Sequence, residues 1–386
     1  MDLVSTLLQS SGLLNLTWQN LVMFAVGGTL IYLAVRKGFE PLLLVPIGFG
    51  AILANLPGAF LSVSDAYKPG STPSTFPPLL QLVYESGIRT EFLPPVIFLG
   101  VGALTDFRPL LSRPITFILG AAAQLGVFIA AMSANLLFGF TDREAASIGI
   151  IGGADGPTAI YLTASLAPHL LGAIAVSAYS YMSLVPIIQP PIMRLLTTRA
   201  ERAIDMPVAK PVSQAAVIVF PIVTGIVTTL AVPTCGALIG LLMFGNLLRE
   251  CGVTERLYKT AGGALINIVT MFLALTIGAT MEGSAFLSRR TLFILLLGAV
   301  AFALSTAGGV ILGKVLNLIL PAGLRINPCI GAAGVSAVPM AARVVQSFVS
   351  RETGGKVNLL YPAMGPNVAG VIGTAMAAGV FLALLR

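Results

Sequence analysis

The sequence predicts an all-α polytopic membrane protein made of two inverted structural repeats, each of about five transmembrane helices plus one re-entrant or broken-helix hairpin. Three observations predict it: scarcity of charge, apolar runs of bilayer length, and a likeness between the two halves of the chain. Of 386 residues, 56% are hydrophobic and 10% charged, where a soluble domain carries about 25% charged residues. Water cannot be the main solvent of such a surface. Glycine (41) and proline (25) are frequent, as the close helix contacts and interrupted helices of a membrane bundle allow. The formal charge of +7 does not point to nucleic acid, because the basic residues sit in short loops between apolar segments, where they set orientation.

Taken in order, apolar runs long enough to cross a bilayer lie near 18–35, 41–58, 91–106, 114–138, 169–193, 213–231, 234–249, 264–282, 291–316 and 358–385. That makes ten expected spans. The first 17 residues show neither a basic n-region nor a small-residue cleavage pattern, so no removable signal peptide is expected. Segment 59–90, with its Ser64-Asp65 and Pro69-Gly70-Ser71-Thr72-Pro73 turn chemistry, is expected to form an insertion outside the bilayer. Stretches 145–167 and 326–348 are apolar but interrupted by Gly, Pro and polar residues, which suits hairpins or broken helices buried in protein at membrane depth.

The halves, 1–205 and 206–386, resemble each other. Gly102-Ala103-Leu104-Thr105-Asp106 matches Gly278-Ala279-Thr280-Met281-Glu282, and Leu111-Ser112-Arg113 with Phe117-Ile118-Leu119 matches Leu287-Ser288-Arg289 with Phe293-Ile294-Leu295. Gly153-Ala154-Asp155-Gly156-Pro157-Thr158-Ala159-Ile160 matches Gly331-Ala332-Ala333-Gly334-Val335-Ser336-Ala337-Val338, and Phe49-Gly50 matches Phe244-Gly245 more weakly. Arg36, Lys37, Arg108, Arg113, Arg194, Arg199, Arg202 and Lys210 all fall on the cytoplasmic side if 145–167 enters and leaves from outside. Each half then has an odd number of crossings, so the second runs inverted. Arg249, Arg256, Lys259, Lys314, Arg325, Arg343, Arg351 and Lys356 fit the inside, whereas Arg289 and Arg290 fall outside against the trend. Inverted repeats with broken helices at the midplane are a transporter architecture.

Of fifteen acids, Asp155 alone lies within an apolar stretch, and an unpaired carboxylate there needs a cation, a proton or a pore. Flanking glycines and Pro157 interrupt the helix and free carbonyls. With the Thr158 hydroxyl they form a set of hard oxygens suited to a small alkali cation. Asp155 also reads as a cap on the second half-helix, a role compatible with ion binding. The matching stretch holds Asn327, Cys329, Gly331, Gly334 and Ser336, and one carboxylate with neutral oxygens suits a monovalent ion better than calcium. Asn367 and Gln189, with Tyr179, Tyr181 and Ser183, are further polar groups at bilayer depth, equally readable as interhelical hydrogen bonds. Asp106 and Glu282 read as surface partners of nearby arginines. Cys235, Cys251 and Cys329 are isolated, without metal-ligand spacing. With His169 the only histidine, a histidine metal cluster or a Ser-His-Asp triad is excluded within the chain. No Gly-Lys-Ser/Thr phosphate loop is present, so energy is expected from an ion gradient or from partner subunits.

Gly152-Gly153-Ala154-Asp155-Gly156-Pro157-Thr158-Ala159-Ile160-Tyr161, the stretch from Asn327 to Pro339, and Met364-Gly365-Pro366-Asn367-Val368-Ala369-Gly370 together resemble the membrane beta subunit of the sodium-pumping, biotin-dependent decarboxylases. These act on oxaloacetate, methylmalonyl-CoA, glutaconyl-CoA or malonate. The resemblance spans nearly the whole chain and implies a sodium-translocating subunit that decarboxylates carboxybiotin, exports sodium and consumes a periplasmic proton. It implies an inner (plasma) membrane location, biotin carrier and carboxyltransferase subunits as partners, and a small gamma or delta membrane anchor. Biotin rides on a partner, since this chain has no Met-Lys-Met biotinylation motif. Carried over, Asp155 corresponds to the sodium-site aspartate, Tyr181 to a tyrosine of sodium or proton coupling, and Asn327, Gly331 and Ser336 to a second polar cluster, so the resemblance implies Asp155, Thr158, Asn327, Gly331 and Ser336 as sodium-binding residues and Asp155, Tyr181 and Ser336 as catalytic ones. Asn367 joins the ion site. The runner-up reading is a stand-alone sodium-coupled secondary transporter. Small-residue helix faces suit self-association.

Overall fold

The computed structural model describes residues 12–57, 79–206 and 211–386, which contain helices and no strand. Helix α1 (Trp18–Lys37) is opened by a reciprocal cap between Thr17 and Asn20 and closed by Gly38, left-handed at φ 68°. There follow α2 (Pro41–Ala54), α3 (Leu93–Leu104), α4 (Thr116–Phe138, interrupted at Gln124), α5 (Asp142–Gly149), α6 (Gly156–Leu166) and α7 (Leu171–Leu196). Then come α8 (Gln214–Ala231), α9 (Gly236–Glu250), α10 (Ile266–Ala279), α11 (Arg289–Ile319), α12 (Met340–Thr353) and α13 (Leu360–Leu385).

All ten apolar runs are helical, but they are not all full spans. Seven of the described helices are long and apolar enough to cross a membrane, or eight if Leu79–Ile88 and Leu93–Leu104, bent by 70°, form one broken span. Helices α2 and α9 have 14 and 15 residues, about 21–23 Å, short of the ~30 Å hydrocarbon core. Of the expected insertion 59–90, residues 59–78 lie outside the described residues, as does Lys210. Residues 79–88 are helical.

The short helices pack in two pairs through glycine. In α2–α10, Gly50 lies on the Leu275 carbonyl and Gly278 on that of Ile47; in α3–α9, Gly102 lies on the Leu242 carbonyl and Gly245 on that of Leu99. A side chain at any of the four would strike backbone, and backbone contact of this kind is how helices associate where lipid supplies no hydrophobic drive.

Both interrupted segments return to the end from which they start. In the first, Glu144 opens α5, with Oε2 capping Thr141, while its Oε1 lies 2.9 Å from Nε2 of His169, which follows α6. Arg290, at the start of α11, donates to the same oxygen at 3.1 Å. In the second, the Asn327 amide donates to the Arg202 carbonyl at 2.9 Å, and Glu352, at the end of α12, accepts from the Arg202 guanidinium at 2.7 Å. At that same end Lys314, near the C-terminus of α11, donates to the Leu196 carbonyl at 2.9 Å. Helices α7 and α11 thus run from the His169–Arg290 end to the Arg202–Lys314 end, about 39 Å apart along α7. The two hairpins enter the molecule from opposite ends.

Candidate functional site

The first hairpin turns where small residues let it. Helix α5 tightens into a 3-10 turn, Ile150–Gly153, Ala154 takes a left-handed φ of 53°, and extended Asp155 caps α6 by accepting the Thr158 N–H at 3.3 Å. Pro157, in the first turn of α6, removes one N–H that would otherwise need a partner. Asp155 is 6% exposed. The Tyr179 ring of α7 lies on Gly156, with its hydroxyl 2.6 Å from where a Cβ would stand, so only glycine fits there. Thr158 Oγ1 and Tyr179 Oη are both buried and make no hydrogen bond of ordinary geometry. Buried polar oxygens seldom stay unpaired, and beside a carboxylate they form a ready set of cation ligands.

The second hairpin reaches the same place. The Ser336 N–H donates to the Gly153 carbonyl at 2.8 Å, joining the two tips backbone to backbone. The Ser336 hydroxyl lies 2.7 Å from Thr374 Oγ1 of α13, which donates to Gln124 Oε1 of α4 at 3.1 Å. Asn367, beside Pro366 inside α13, spends its amide on the carbonyls of Ala333 (3.1 Å) and Val335 (2.7 Å), leaving its buried Oδ1 unpartnered. Gln189 of α7 repeats the arrangement, donating to the Ala332 carbonyl at 2.7 Å with Oε1 unpartnered. Both amides hold the 3-10 stretch Pro328–Gly334 by its carbonyls.

The expected site residues therefore fall in three places. Asp155, Thr158 and Ser336 gather at the joined tips, with Asn367 clamping the stretch that leads to Ser336. Asn327 lies at the mouth of the second hairpin, its amide on the Arg202 and Ile204 carbonyls and its Oδ1 capping the Cys329 N–H. Seven 3-10 residues, roughly 14 Å at their usual rise, separate it from the tip. Gly331 packs backbone to backbone on Gly309 of α11. Tyr181 turns toward α11, its ring on Gly298 and its hydroxyl donating to the Leu295 carbonyl. Thr374, Gln124 and the closeness of Tyr179 to the Asp155 turn were not singled out from sequence. Their one signal was polarity in the middle of apolar runs. Asp106 pairs with Arg108, as expected, and Arg108 also holds Glu250 through two bonds.

A family model described as the Na+-transporting oxaloacetate decarboxylase beta subunit matches residues 19–385. The chain belongs to that beta-subunit family. A methylmalonyl-CoA decarboxylase subunit beta from Veillonella parvula is 53% identical over 386 residues, covering 99% of this chain and 97% of its own. A glutaconyl-CoA decarboxylase subunit beta from Acidaminococcus fermentans is 53% identical over 382 residues, with the same coverage. An oxaloacetate decarboxylase beta chain 2 from Salmonella typhi is 47% identical over 430 residues, covering 99% of both chains. The beta-subunit family so spans three named decarboxylases, and the joined hairpin tips lie well inside the matched region.

Proposed function

We propose that this chain is the membrane subunit of a decarboxylation-driven sodium pump in the inner membrane, carrying sodium on Asp155 and decarboxylating carboxybiotin delivered by a partner. The observation that carries this reading is the buried Asp155 carboxylate at the joined tips, beside the buried Thr158 and Tyr179 hydroxyls. Sodium is cargo here. Asp155 neutralises it, Thr158 supplies an adjacent hydroxyl, Ser336 of the second hairpin and Asn367 of α13 offer neutral oxygens, and Asn327 and Gly331 fix that hairpin against Arg202 and α11.

Loss of carbon dioxide from carboxybiotin breaks the bond from the ureido nitrogen to the carboxyl carbon and leaves the electron pair on nitrogen, which takes up a proton. In this reading that proton comes from the outer face and reaches the site as sodium leaves Asp155. Tyr181, against both Gly298 and the hairpin through α11, couples ion or proton movement to the helix contact.

Two inverted repeats underlie the cycle. The matched glycines support this, since Gly50 and Gly245 are counterparts, Gly102 and Gly278 are counterparts, and the α2–α10 contact maps onto α9–α3 when the halves are exchanged. The test is sodium-22 uptake and carboxybiotin decarboxylation in proteoliposomes of the native chain and Asp155→Asn. Both activities are expected in the first and neither in the second. Sodium movement without carboxybiotin, or an unaffected variant, would overturn the reading.

A further inference from the structure

A cavity of about 530 Å³ opens at the Arg202–Lys314 end, away from the hairpin tips, between the last turns of α7 and α11. Its polar wall holds Lys314, Arg325, Glu201 and Asn317, and its apolar wall includes Ile311, Val315 and Leu318. The polar groups are held in place. Both ends of the Asn317 amide are fixed on the Ile326 backbone, at 2.7 and 2.9 Å, which sets the adjoining Arg325 at the rim. Lys314 is anchored on the Leu196 carbonyl and lies 3.5 Å from Glu201, whose other oxygen is already committed to capping Thr198. Arg325 has no ion-pair partner among the described residues. Two cations against one carboxylate leave a single positive charge to be met.

The apolar wall gives the second half of a ligand. Ile311, Val315 and Leu318 share one face of α11 and are exposed, Leu318 by 85%, so they form an apolar stripe about 10 Å long that straddles the level of Lys314, with Ile311 on the side of the bilayer centre. Helix α11 has 31 residues, about 46 Å, longer than the hydrocarbon core, which puts Lys314 and Arg325 at headgroup depth. We propose that this cavity binds an anionic phospholipid, its singly charged phosphodiester against Lys314 and Arg325 and an acyl chain along Ile311, Val315 and Leu318. Basic pockets between helices at a membrane surface suit such headgroups.

The full chain, stripped of lipid in neutral detergent, is titrated with phosphatidylglycerol, with phosphatidylcholine of the same acyl chains, and with inorganic phosphate, while native mass spectrometry and melting temperature are followed. Phosphatidylglycerol alone should bind and raise the melting temperature. Arg325→Gln should weaken it about fivefold, the usual worth of one surface cation, with lipid-free melting unchanged, and Arg325→Lys should restore it. Lys314→Gln combined with Arg325→Gln should remove retention altogether. Equal stabilisation by phosphatidylcholine, the same shift with phosphate alone, or full affinity in Arg325→Gln would each overturn the site.

Discussion

Two residues decide the geometry around the carboxylate, and neither carries charge. Gly156 is small enough for the Tyr179 ring to lie against the start of α6. Gly156→Ala should therefore push Tyr179 aside, raise the sodium concentration needed for half-maximal activity by about tenfold or more, and be partly relieved in Gly156→Ala/Tyr179→Ala. A variant with native sodium dependence would show that the ring has no hand in the site. Tyr179→Phe isolates the hydroxyl, and loss of sodium affinity without loss of melting temperature is the expected result. The burial of Asp155 at a hairpin turn was legible in the sequence, because a lone acid in an apolar run among glycines has few structural explanations. Tyr179 was not, because α7 presents two tyrosines two residues apart on different faces, and only the packing says which one meets the hairpin.

At the scale of elements, each hairpin mouth is tied by one carboxylate shared between two basic groups: Glu144 by His169 and Arg290, Glu352 by Arg194 and Arg202. Arg202 is the more deeply held, with further bonds to the Thr197 hydroxyl and to the Arg194 and Thr197 carbonyls. Glu352 keeps Arg194 in its absence, but losing the buried Arg202 guanidinium takes the donor from the Arg194 and Thr197 carbonyls, so Arg202→Ala should destabilise by about 2 kcal/mol. The Arg194 guanidinium, joined by Arg202 and working against burial, holds the Glu352 carboxyl below its ordinary value of 4.5. A carboxylate lowered in the folded state stabilises above its unfolded value and loses that contribution as pH falls through the folded one. The native melting temperature should exceed that of Glu352→Gln at pH 7, and the gap should close below about pH 4.5. A constant gap down to pH 3 would exclude the ion pair as its source. Residue type and loop placement pointed to a basic cluster at 194–202, but not to the acid that it meets 150 residues later, because such pairing belongs to tertiary structure.

For the whole molecule, the claim open to test is that the two mouths face opposite compartments. With Cys251→Ser as background, since Cys235 and Cys329 are buried, Arg143→Cys and Arg199→Cys should react with an impermeant maleimide from opposite sides of sealed membrane vesicles. Labelling of both from one side would refute the arrangement. Hydrophobic run lengths and the repeated motifs made the membrane class and the places of both hairpins readable in advance. The count of full spans was not, because α2 and α9 are stopped by local turns and bury themselves on α10 and α3 instead of reaching across.

In the form described here both mouths are tied by ion pairs and Asp155 is buried. In the proposed cycle, keeping the mouths tied is what prevents a short circuit. A site open to both compartments at once would let each ion run back down a membrane potential worth about 2.3 kcal/mol per charge at 100 mV, and the decarboxylation energy would leave as heat. In that cycle the ion pairs at the mouths would guard the coupling, and variants that loosen either one should leak sodium even when no carboxybiotin is present.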